Sequence, residues 1–160
     1  MNDMNTVSRR SFLKTSAVAA GAGVAASALP VSTRVAPAGA NSAIRIAIIG
    51  LGIMGLGHLK RLSARNDVRV VALCDLDKSA IARAAKEAEA NLIAPFTCTD
   101  AREIMSRPDV DAIVIASGNH WHALQAVWGC QAGKDVYVEK PMTHTVWEGR
   151  KLIEAAEKYS

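Results

Sequence analysis

The sequence predicts an α/β protein with a doubly wound parallel sheet, and three observations support this. Apolar segments typical of buried strands alternate with segments of helical periodicity from residue 44 to residue 159. The loops between these segments are only a few residues long. A glycine-rich turn separates the first strand from the first helix. Strands and helices that alternate in this way form a parallel sheet with helices on both faces.

The predicted elements follow one another along the chain in strict alternation. Strands are expected at 44–49, 68–74, 95–98, 110–116 and 135–139. Helices are expected at 53–63, 79–90, 101–106, 120–132 and 145–159. Asp77 and Asp100 should cap the second and third helices, and Gly133 should end the fourth. The last helix is expected to bury one stripe of side chains, namely Val146, Leu152, Ile153 and Ala156.

Composition and charge favour a globular domain over a nucleic-acid-binding protein. Half of the 160 residues are hydrophobic, and the formal net charge is +4. Residues 1–40 hold four basic side chains against Asp3, a net of +3, which leaves only +1 for the remainder. No basic face with interleaved aromatic residues remains, so we expect no nucleic-acid partner.

The amino terminus has the pattern of an export signal. The motif Ser-Arg-Arg-Ser-Phe-Leu-Lys at 8–14 precedes a mildly hydrophobic, Ala- and Gly-rich stretch at 15–29. This resembles a twin-arginine signal cleaved near Ala40, which predicts a periplasmic or otherwise extracytoplasmic protein. The stretch is shorter than the roughly 20 apolar residues of a bilayer span, so we expect no stable membrane insertion after cleavage. An uncleaved anchor is the alternative. The sequence thus divides into a signal peptide with linker at 1–40 and a folded domain at 41–160.

The three cysteines show neither metal-type spacing nor an even-numbered disulfide framework. Cys74 and Cys98 fall in predicted strands, and Cys130 falls on a predicted helix. All three are expected to be small buried hydrophobic residues.

The glycine turn has the spacing of a phosphate-binding loop, with Gly50, Gly52 and Gly55 between a strand and a helix. The helix begins beside the glycines, so the N–H groups of Ile53 and Met54 should face the turn. A pyrophosphate there would gain hydrogen bonds and the favourable end of the helix dipole. Gly52 would let the backbone approach the ligand, and Gly55 would let the helix pack against the strand.

An acid at the end of the second strand indicates which dinucleotide would bind. Asp75 lies 25 residues after Gly50, where a carboxylate can accept both ribose hydroxyls of an adenosine and repel a 2′-phosphate. We therefore expect NAD, with NADP less favoured. The alternative role of Asp75 is a helix cap, for which Asp77 is better placed.

Two more polar clusters follow predicted strands and should reach the same edge of the sheet. One is the loop from Ser117 to His122, and the other is Glu139-Lys140. Trp121 is expected to line the pocket, whereas Trp128 and Trp147 are expected to pack in the core or at an interface. His120 and His122 lack a third ligand, so we expect no metal site, and a helix-start or pocket-wall role is favoured.

Four features together give a family resemblance. These are the glycine turn, Cys74-Asp75, the Ser117-Gly118-Asn119-His120-Trp121-His122 loop, and the stretch from Gly133-Lys134 to Glu139-Lys140-Pro141. From residue 43 to residue 160 the chain resembles the glucose-fructose oxidoreductase and inositol dehydrogenase (Gfo/Idh/MocA) family. The resemblance implies that Lys140 reaches the nicotinamide and the substrate, that Glu139 lies along the cofactor, and that Asn119 to His122 border the same pocket. In the family a proline often stands where this chain has Gly118.

The resemblance also implies parts that these 160 residues do not include. Family members continue with a sixth strand and a substrate domain, so we expect the chain to be a truncated Rossmann domain and the full-length protein to be a homo-oligomer. Because free NAD is scarce outside the cytoplasm, an exported member should load NAD before export and retain it.

Three functions remain open. The first is an NAD-dependent oxidoreductase of a sugar, polyol or related carbohydrate, with Lys140 as the catalytic residue that holds the hydroxyl oxygen and relays its proton. The second is an NAD-dependent glycoside hydrolase of the same fold. The third is a non-catalytic nucleotide-binding fragment.

Overall fold

The computed structural model describes residues 43–89 and 94–159, and the predicted signal peptide lies outside these residues. Within these described residues, five strands alternate with five helices. The strands are β1 (Ile44–Ile49), β2 (Val68–Cys74), β3 (Phe96–Cys98), β4 (Ala112–Ile115) and β5 (Asp135–Val138). The helices are α1 (Ile53–Ser63), α2 (Lys78–Glu89), α3 (Ala101–Met105), α4 (Asn119–Gln131) and α5 (Val146–Tyr159).

All strand pairs are parallel, and the sheet order is β3-β2-β1-β4-β5. The chain runs outward from β1 to β3, returns to the other side of β1 at β4, and continues to β5. The strand order therefore reverses between β1 and β4, which is where open α/β sheets bind their ligands. The predicted doubly wound parallel sheet is confirmed.

Helices cover both faces of the sheet because side chains of a strand alternate between its faces. In β1, Ile46 and Ile48 pack with α1 and α2, whereas Ala47 and Ile49 pack with α3, α4 and α5. The central strands are almost continuously apolar, as expected for strands buried on both sides. This double core holds the carboxyl ends of β1, β2 and β4 in fixed positions.

Polar side chains form hydrogen bonds at the amino edge of the sheet. The Arg45 guanidinium donates two hydrogen bonds to the Asp111 carboxylate, and this contact lowers the pKa of Asp111 to about 2. Lys134 Nζ donates to the carbonyl oxygens of Arg107 and Val110, at 2.6 and 2.8 Å. The lysine of the Gly133-Lys134 motif therefore holds the loop that leads into β4.

The predicted element ends agree with the structure to within two residues. Asp77 and Asp100 cap α2 and α3 as predicted, and Gly133 follows α4 with φ of 64°. Ala90, the predicted last residue of the second helix, lies outside the described residues.

The predicted buried stripe of α5 is wrong for two of its members. Val146 is 77% exposed and Ile153 is 56% exposed, whereas Leu152 and Ala155 are buried. Helix α5 packs against α4. Periodicity identifies residues that share a stripe, but the neighbouring helix decides which stripe is covered.

Candidate functional site

A cleft of about 650 Å³ opens at the carboxyl edge of the sheet. It extends from the end of β3 across β2 and β1 to the loop after β4, and thus spans the reversal of strand order. Its walls come from the strand ends, the loops that follow them, and one face of α4.

The turn after β1 depends on two glycines. Gly50 has φ of 91°, and a Cβ there would collide with the backbone of Ala116 and Ser117. A Cβ on Gly55 would collide with the Gly50 carbonyl oxygen. The Gly50 N–H donates to the Cys74 carbonyl at 2.8 Å, which joins the turn to β2. The close approach of strand, turn and helix therefore excludes side chains at both positions.

Helix α1 begins without a cap. Gly52 is its N-cap residue, with no side-chain hydrogen bond, and the first turn contains no acidic residue. The first helical hydrogen bond runs from the Leu56 N–H to the Gly52 carbonyl, at 2.9 Å. Within residues 43–89 and 94–159, the N–H groups of residues 52–55 consequently have no hydrogen-bond partner. This end of the helix is a positive, unsatisfied group of donors.

Helix α4 also begins without a cap, whereas the other three helices supply their own. Gly118 precedes α4 and makes no side-chain cap, and the first turn again contains no acid. Helix α2 is capped by Asp77 and α3 by Asp100. At the start of α5, Thr145 and Glu148 cap each other's N–H groups. The two uncapped helices are those that follow β1 and β4, on either side of the strand-order reversal.

Asp75 lies at the rim of the cleft and is held by two backbone donors. Its Oδ2 accepts from the Leu51 N–H at 2.6 Å, and its Oδ1 accepts from the Asp77 N–H at 2.9 Å. The side chain therefore orients the glycine turn rather than capping α2. Each carboxylate oxygen has a second lone pair, so the group can still accept from a ligand hydroxyl.

One face of α4 forms the opposite wall of the cleft. Trp121, Gln125 and Trp128 are spaced four and three residues apart, so they share a face of the helix. Gln125 is 7% exposed, and its Oε1 accepts from the Ser117 hydroxyl at 2.7 Å. Trp128 lines the cleft, whereas Trp147 is 67% exposed.

His122 is buried and joins two loops. Its side chain is 1% exposed, with Nδ1 2.8 Å from the Pro141 carbonyl oxygen and Nε2 3.0 Å from the Ser117 carbonyl oxygen. The tautomer of the ring decides which of these two carbonyl oxygens accepts a hydrogen bond. Both ring nitrogens lie beside backbone carbonyl oxygens, so neither is open to a metal ion. In the described part of the chain, no group of three His, Cys, Asp or Glu side chains could hold a metal ion.

Glu139 connects the end of β5 to helix α1. Its Oε1 lies 2.7 Å from His58 Nε2, and the two side chains are only 13% and 12% exposed. The hydrogen bond from His58 lowers the pKa of Glu139. Lys140, the next residue, is exposed and precedes Pro141, whose carbonyl faces His122. His58 and His122 together fix the backbone on both sides of Lys140.

Four of the predicted site residues line the cleft, and the others lie outside its lining. Those that line the cleft are Gly50, Asp75, Ser117 and Trp121. Outside the lining, the residues that are exposed at the helix starts and after β5 are Gly52, Ile53, Met54, Asn119, His120 and Lys140. Gly55 and His122 are buried, and Glu139 is half-buried.

Part of the cleft lining was not predicted from the sequence. Leu76, Thr99, Asp100, Arg102 and Gln125 also face the cleft. Thr99 and Asp100 follow the end of β3, so the rule that identified Asp75 would have identified them as well. His58 gave no sequence signal, because its partner is 81 residues away.

A parallel sheet with a glycine turn, uncapped helix starts at the strand reversal and an acid after β2 defines a nucleotide-binding Rossmann domain. Residues 44–160 match the model of the Gfo/Idh/MocA oxidoreductase family, NAD-binding Rossmann fold, and the chain belongs to this family. Residues 6–30 match the twin-arginine translocation signal sequence, so the chain has a signal for export by that route. None of the described helices is long and apolar enough to cross a membrane.

Named relatives include glycoside hydrolases and a dehydrogenase. The chain is 34% identical to glycosyl hydrolase family 109 protein 2 of Shewanella sp. (strain ANA-3), over 96% of this chain and 38% of that protein. It is 30% identical to an alpha-N-acetylgalactosaminidase of Shewanella oneidensis, over 97% of this chain and 38% of that protein. The crystal structure of myo-inositol 2-dehydrogenase from Lactobacillus plantarum superposes with a TM-score of 0.66 at 27% identity, covering 73% of this chain and 34% of that one. The chain therefore spans less than half the length of these relatives.

Proposed function

We propose that the chain binds NAD at the carboxyl edge of its sheet and is the cofactor-holding part of an exported oxidoreductase that acts on a carbohydrate. The observation that carries this proposal is the pair of uncapped helix starts on either side of the strand reversal. Side chains cap α2, α3 and α5, so missing caps at α1 and α4 leave donors free for a bound anion.

The residues present fit a dinucleotide. The N–H groups of residues 52–55 match the acceptor oxygens of a pyrophosphate. Asp75 can accept the ribose hydroxyls while it orients the turn through Leu51. The face of Trp121 and Gln125 offers an apolar surface and an amide to a base.

The charge of Asp75 supports NAD over NADP, and replacing it should change this preference. In Asp75→Asn an amide oxygen can still accept from a backbone N–H, but the charge that would repel a 2′-phosphate is gone. We expect the affinity for NADP relative to NAD to rise at least about tenfold. Isothermal titration with both dinucleotides measures the ratio, and an unchanged ratio would place the ribose away from Asp75.

Lys140 is the proposed catalytic residue. Bound NAD would accept a hydride from the carbon that bears the substrate hydroxyl. The neutral Lys140 amine would accept the proton of that hydroxyl, and the ammonium formed in this way would hold the oxygen and then release the proton to solvent. The contacts of His58 with Glu139 and of His122 with Pro141 would fix the lysine at the cleft edge.

Lys140→Met tests that role in the whole protein. We expect NAD affinity to stay within about twofold, because no hydrogen bond or ion pair joins Lys140 to the phosphate-binding turn in the described part of the chain. Turnover should fall at least about 100-fold, since the group that handles the proton is lost. Lys140→Arg retains the positive charge but cannot transfer the proton. We therefore expect this variant to bind substrate with an affinity similar to that of the wild type, and its turnover to be as low as that of Lys140→Met. Wild-type turnover in Lys140→Met would exclude the proposed role.

A second candidate is NAD-dependent glycoside hydrolysis, favoured by the names of the relatives at 30% and 34% identity. In this reaction a sugar hydroxyl would be oxidised transiently, and the glycosidic bond would break with departure of the alcohol. Water would add in its place, and the hydride would return to the sugar. The same chain residues would act, but the product would carry no net redox change.

Product analysis separates the two candidates. The whole protein is incubated with an alpha-N-acetylgalactosaminide and, separately, with inositols and free sugars. NADH formation in proportion to the oxidised product supports the oxidoreductase. Release of free sugar without NADH accumulation supports the hydrolase. If neither occurs although NAD binds, the third function, nucleotide binding without catalysis, is favoured.

Export bears on how the cofactor is held. The twin-arginine route translocates folded proteins, so NAD would be loaded in the cytoplasm and retained afterwards. A cofactor that is reduced and reoxidised within one site needs no exchange with free NAD. Purification of the exported protein with NAD still bound after extensive dialysis is the expected result, and its loss on simple dilution would contradict retention.

A further inference from the structure

Two of the three cysteines form a pair at the cleft. Cys74 ends β2, Cys98 ends β3, and the two residues are direct partners in the parallel ladder. Partners on neighbouring strands lie about 4.8 Å apart and project to the same face. Both side chains belong to the same core cluster, and they are 2% and 7% exposed. The thiols are therefore in contact, although 24 residues separate them in sequence.

We propose that Cys74 and Cys98 form a disulfide bond in the exported protein. Disulfides join residues whose Cα atoms are about 4.4–6.8 Å apart, a range that includes direct strand partners. The twin-arginine signal directs the chain out of the reducing cytoplasm, and disulfides persist in extracytoplasmic spaces. The pair is in its free thiol form in this structure.

The bond forms by thiol–disulfide exchange with a disulfide oxidant, either a small molecule or a disulfide oxidoreductase. The Cys98 thiolate attacks the oxidant and forms a mixed disulfide, releasing the first reduced thiol. The Cys74 thiolate then attacks the Cys98 sulfur and displaces the second. Two protein thiols lose two protons and two electrons, and the oxidant disulfide becomes two thiols.

Burial makes this exchange slow and selective. Burial raises the pKa of both thiols, and the neighbouring Cys98 raises that of Cys74 further. Thiolates are thus scarce at neutral pH, which limits the rate of exchange. Cys98 is the more exposed of the two, and the cleft beside Cys74 gives an oxidant a path to the pair.

The disulfide would fix two loops of the cleft. Cys74 directly precedes Asp75, whose N–H donates to the Cys98 carbonyl at 3.3 Å. The Cys98 thiol donates to the Asp100 carbonyl at 3.4 Å. A covalent bond between β2 and β3 would therefore hold the acid of β2 and the cap of α3 at a constant separation.

The test uses the full 160-residue chain with Cys130→Ser, so that only the pair remains. The folded protein is incubated with oxidised glutathione, unfolded in urea and treated with iodoacetamide, and its intact mass is measured. We expect a loss of two hydrogens, no alkylation, and a melting temperature about 5 °C or more above that of the reduced protein. Dithiothreitol should reverse all three changes.

The matched control is Cys98→Ser in the same Cys130→Ser background. After the same treatment, its remaining Cys74 should be found as a glutathione adduct or as a free thiol. The proposal would be overturned if the folded Cys130→Ser protein, after incubation with oxidised glutathione, still reacted with two molecules of iodoacetamide. A stable glutathione adduct of this protein would also overturn it. Should Cys130→Ser fail to fold, non-reducing peptide mapping of the oxidised wild-type chain identifies the bond directly. A disulfide between Cys130 and either residue, or no disulfide at all, would also overturn the proposal. NAD binding is measured separately and does not depend on this result.

Discussion

Gly52→Ala is expected to leave the fold intact and to lower the affinity for NAD at least about tenfold. Gly52 has φ of −70° and ψ of −161°, which alanine adopts, and a Cβ there would have no atom within 4 Å. The methyl group would occupy the space in front of the free N–H groups of residues 52–55, where we propose that the pyrophosphate lies. Calorimetric titration measures the affinity, and circular dichroism checks the fold.

Gly57→Ala is the matched control on the same helix. It lies inside α1, and a Cβ there would meet only the Arg61 guanidinium, at the ordinary distance of 3.6 Å. Alanine stabilises a helix interior by about 1 kcal/mol relative to glycine. We expect higher thermal stability and unchanged NAD affinity. Equal NAD affinity in Gly52→Ala and Gly57→Ala would show that no ligand approaches Gly52.

Gly50→Ala should destabilise the domain by about 2–4 kcal/mol, the largest stability effect that we expect. Its φ of 91° is unfavourable for alanine, and the added Cβ would collide with the backbone of Ala116 and Ser117. Ala116 directly follows β4, and its N–H donates to the Ile49 carbonyl at 2.7 Å, so this backbone cannot move away without disturbing the hydrogen bonds between β1 and β4. Urea unfolding of wild type and variant gives the difference.

The matched control for Gly50 lies in the facing loop. Gly118 has φ of −65° and ψ of 142°, and a Cβ there would meet only the ring of His120, at 3.0 Å. Because that ring is on an exposed side chain, it can rotate away, and Gly118→Ala should change stability by less than about 1 kcal/mol. If Gly50→Ala were as stable as Gly118→Ala, the account of the turn would be wrong.

The torsion angles of Gly118 also bear on the proline that the family resemblance leads us to expect at this position. A φ near −65° is the angle that proline imposes. The loop therefore has the conformation that a proline would give it. A proline at position 118 would be compatible with this φ.

Local patterns in the sequence predicted most of the fold, because strand, turn and cap signals depend on neighbouring residues. The strand from Ile44 and the helix from Ile53 begin where the pattern placed them, and Asp100 caps as predicted. The exposed Ile153 shows the limit of periodicity, since packing against α4 decides which side of α5 is buried.

Contacts between distant residues could not be predicted in this way. The sequence placed Glu139 beside the cofactor through a family resemblance, but gave no indication of its 2.7 Å contact with His58. The pairing of Cys74 with Cys98 likewise depends on strand register, which composition and spacing do not give. Predicting either contact requires the sheet order first.

The most direct test of the central claim is an NMR titration of the ¹⁵N-labelled chain with NAD. NAD bound at the carboxyl edge of the sheet should change the chemical shifts of the amides of residues 50–55, Asp75 and the loop 117–121. Arg45, Asp111 and Lys134, at the amino edge, should not shift. Shifts confined to the amino edge, or no shifts at NAD concentrations that saturate related domains, would contradict the account.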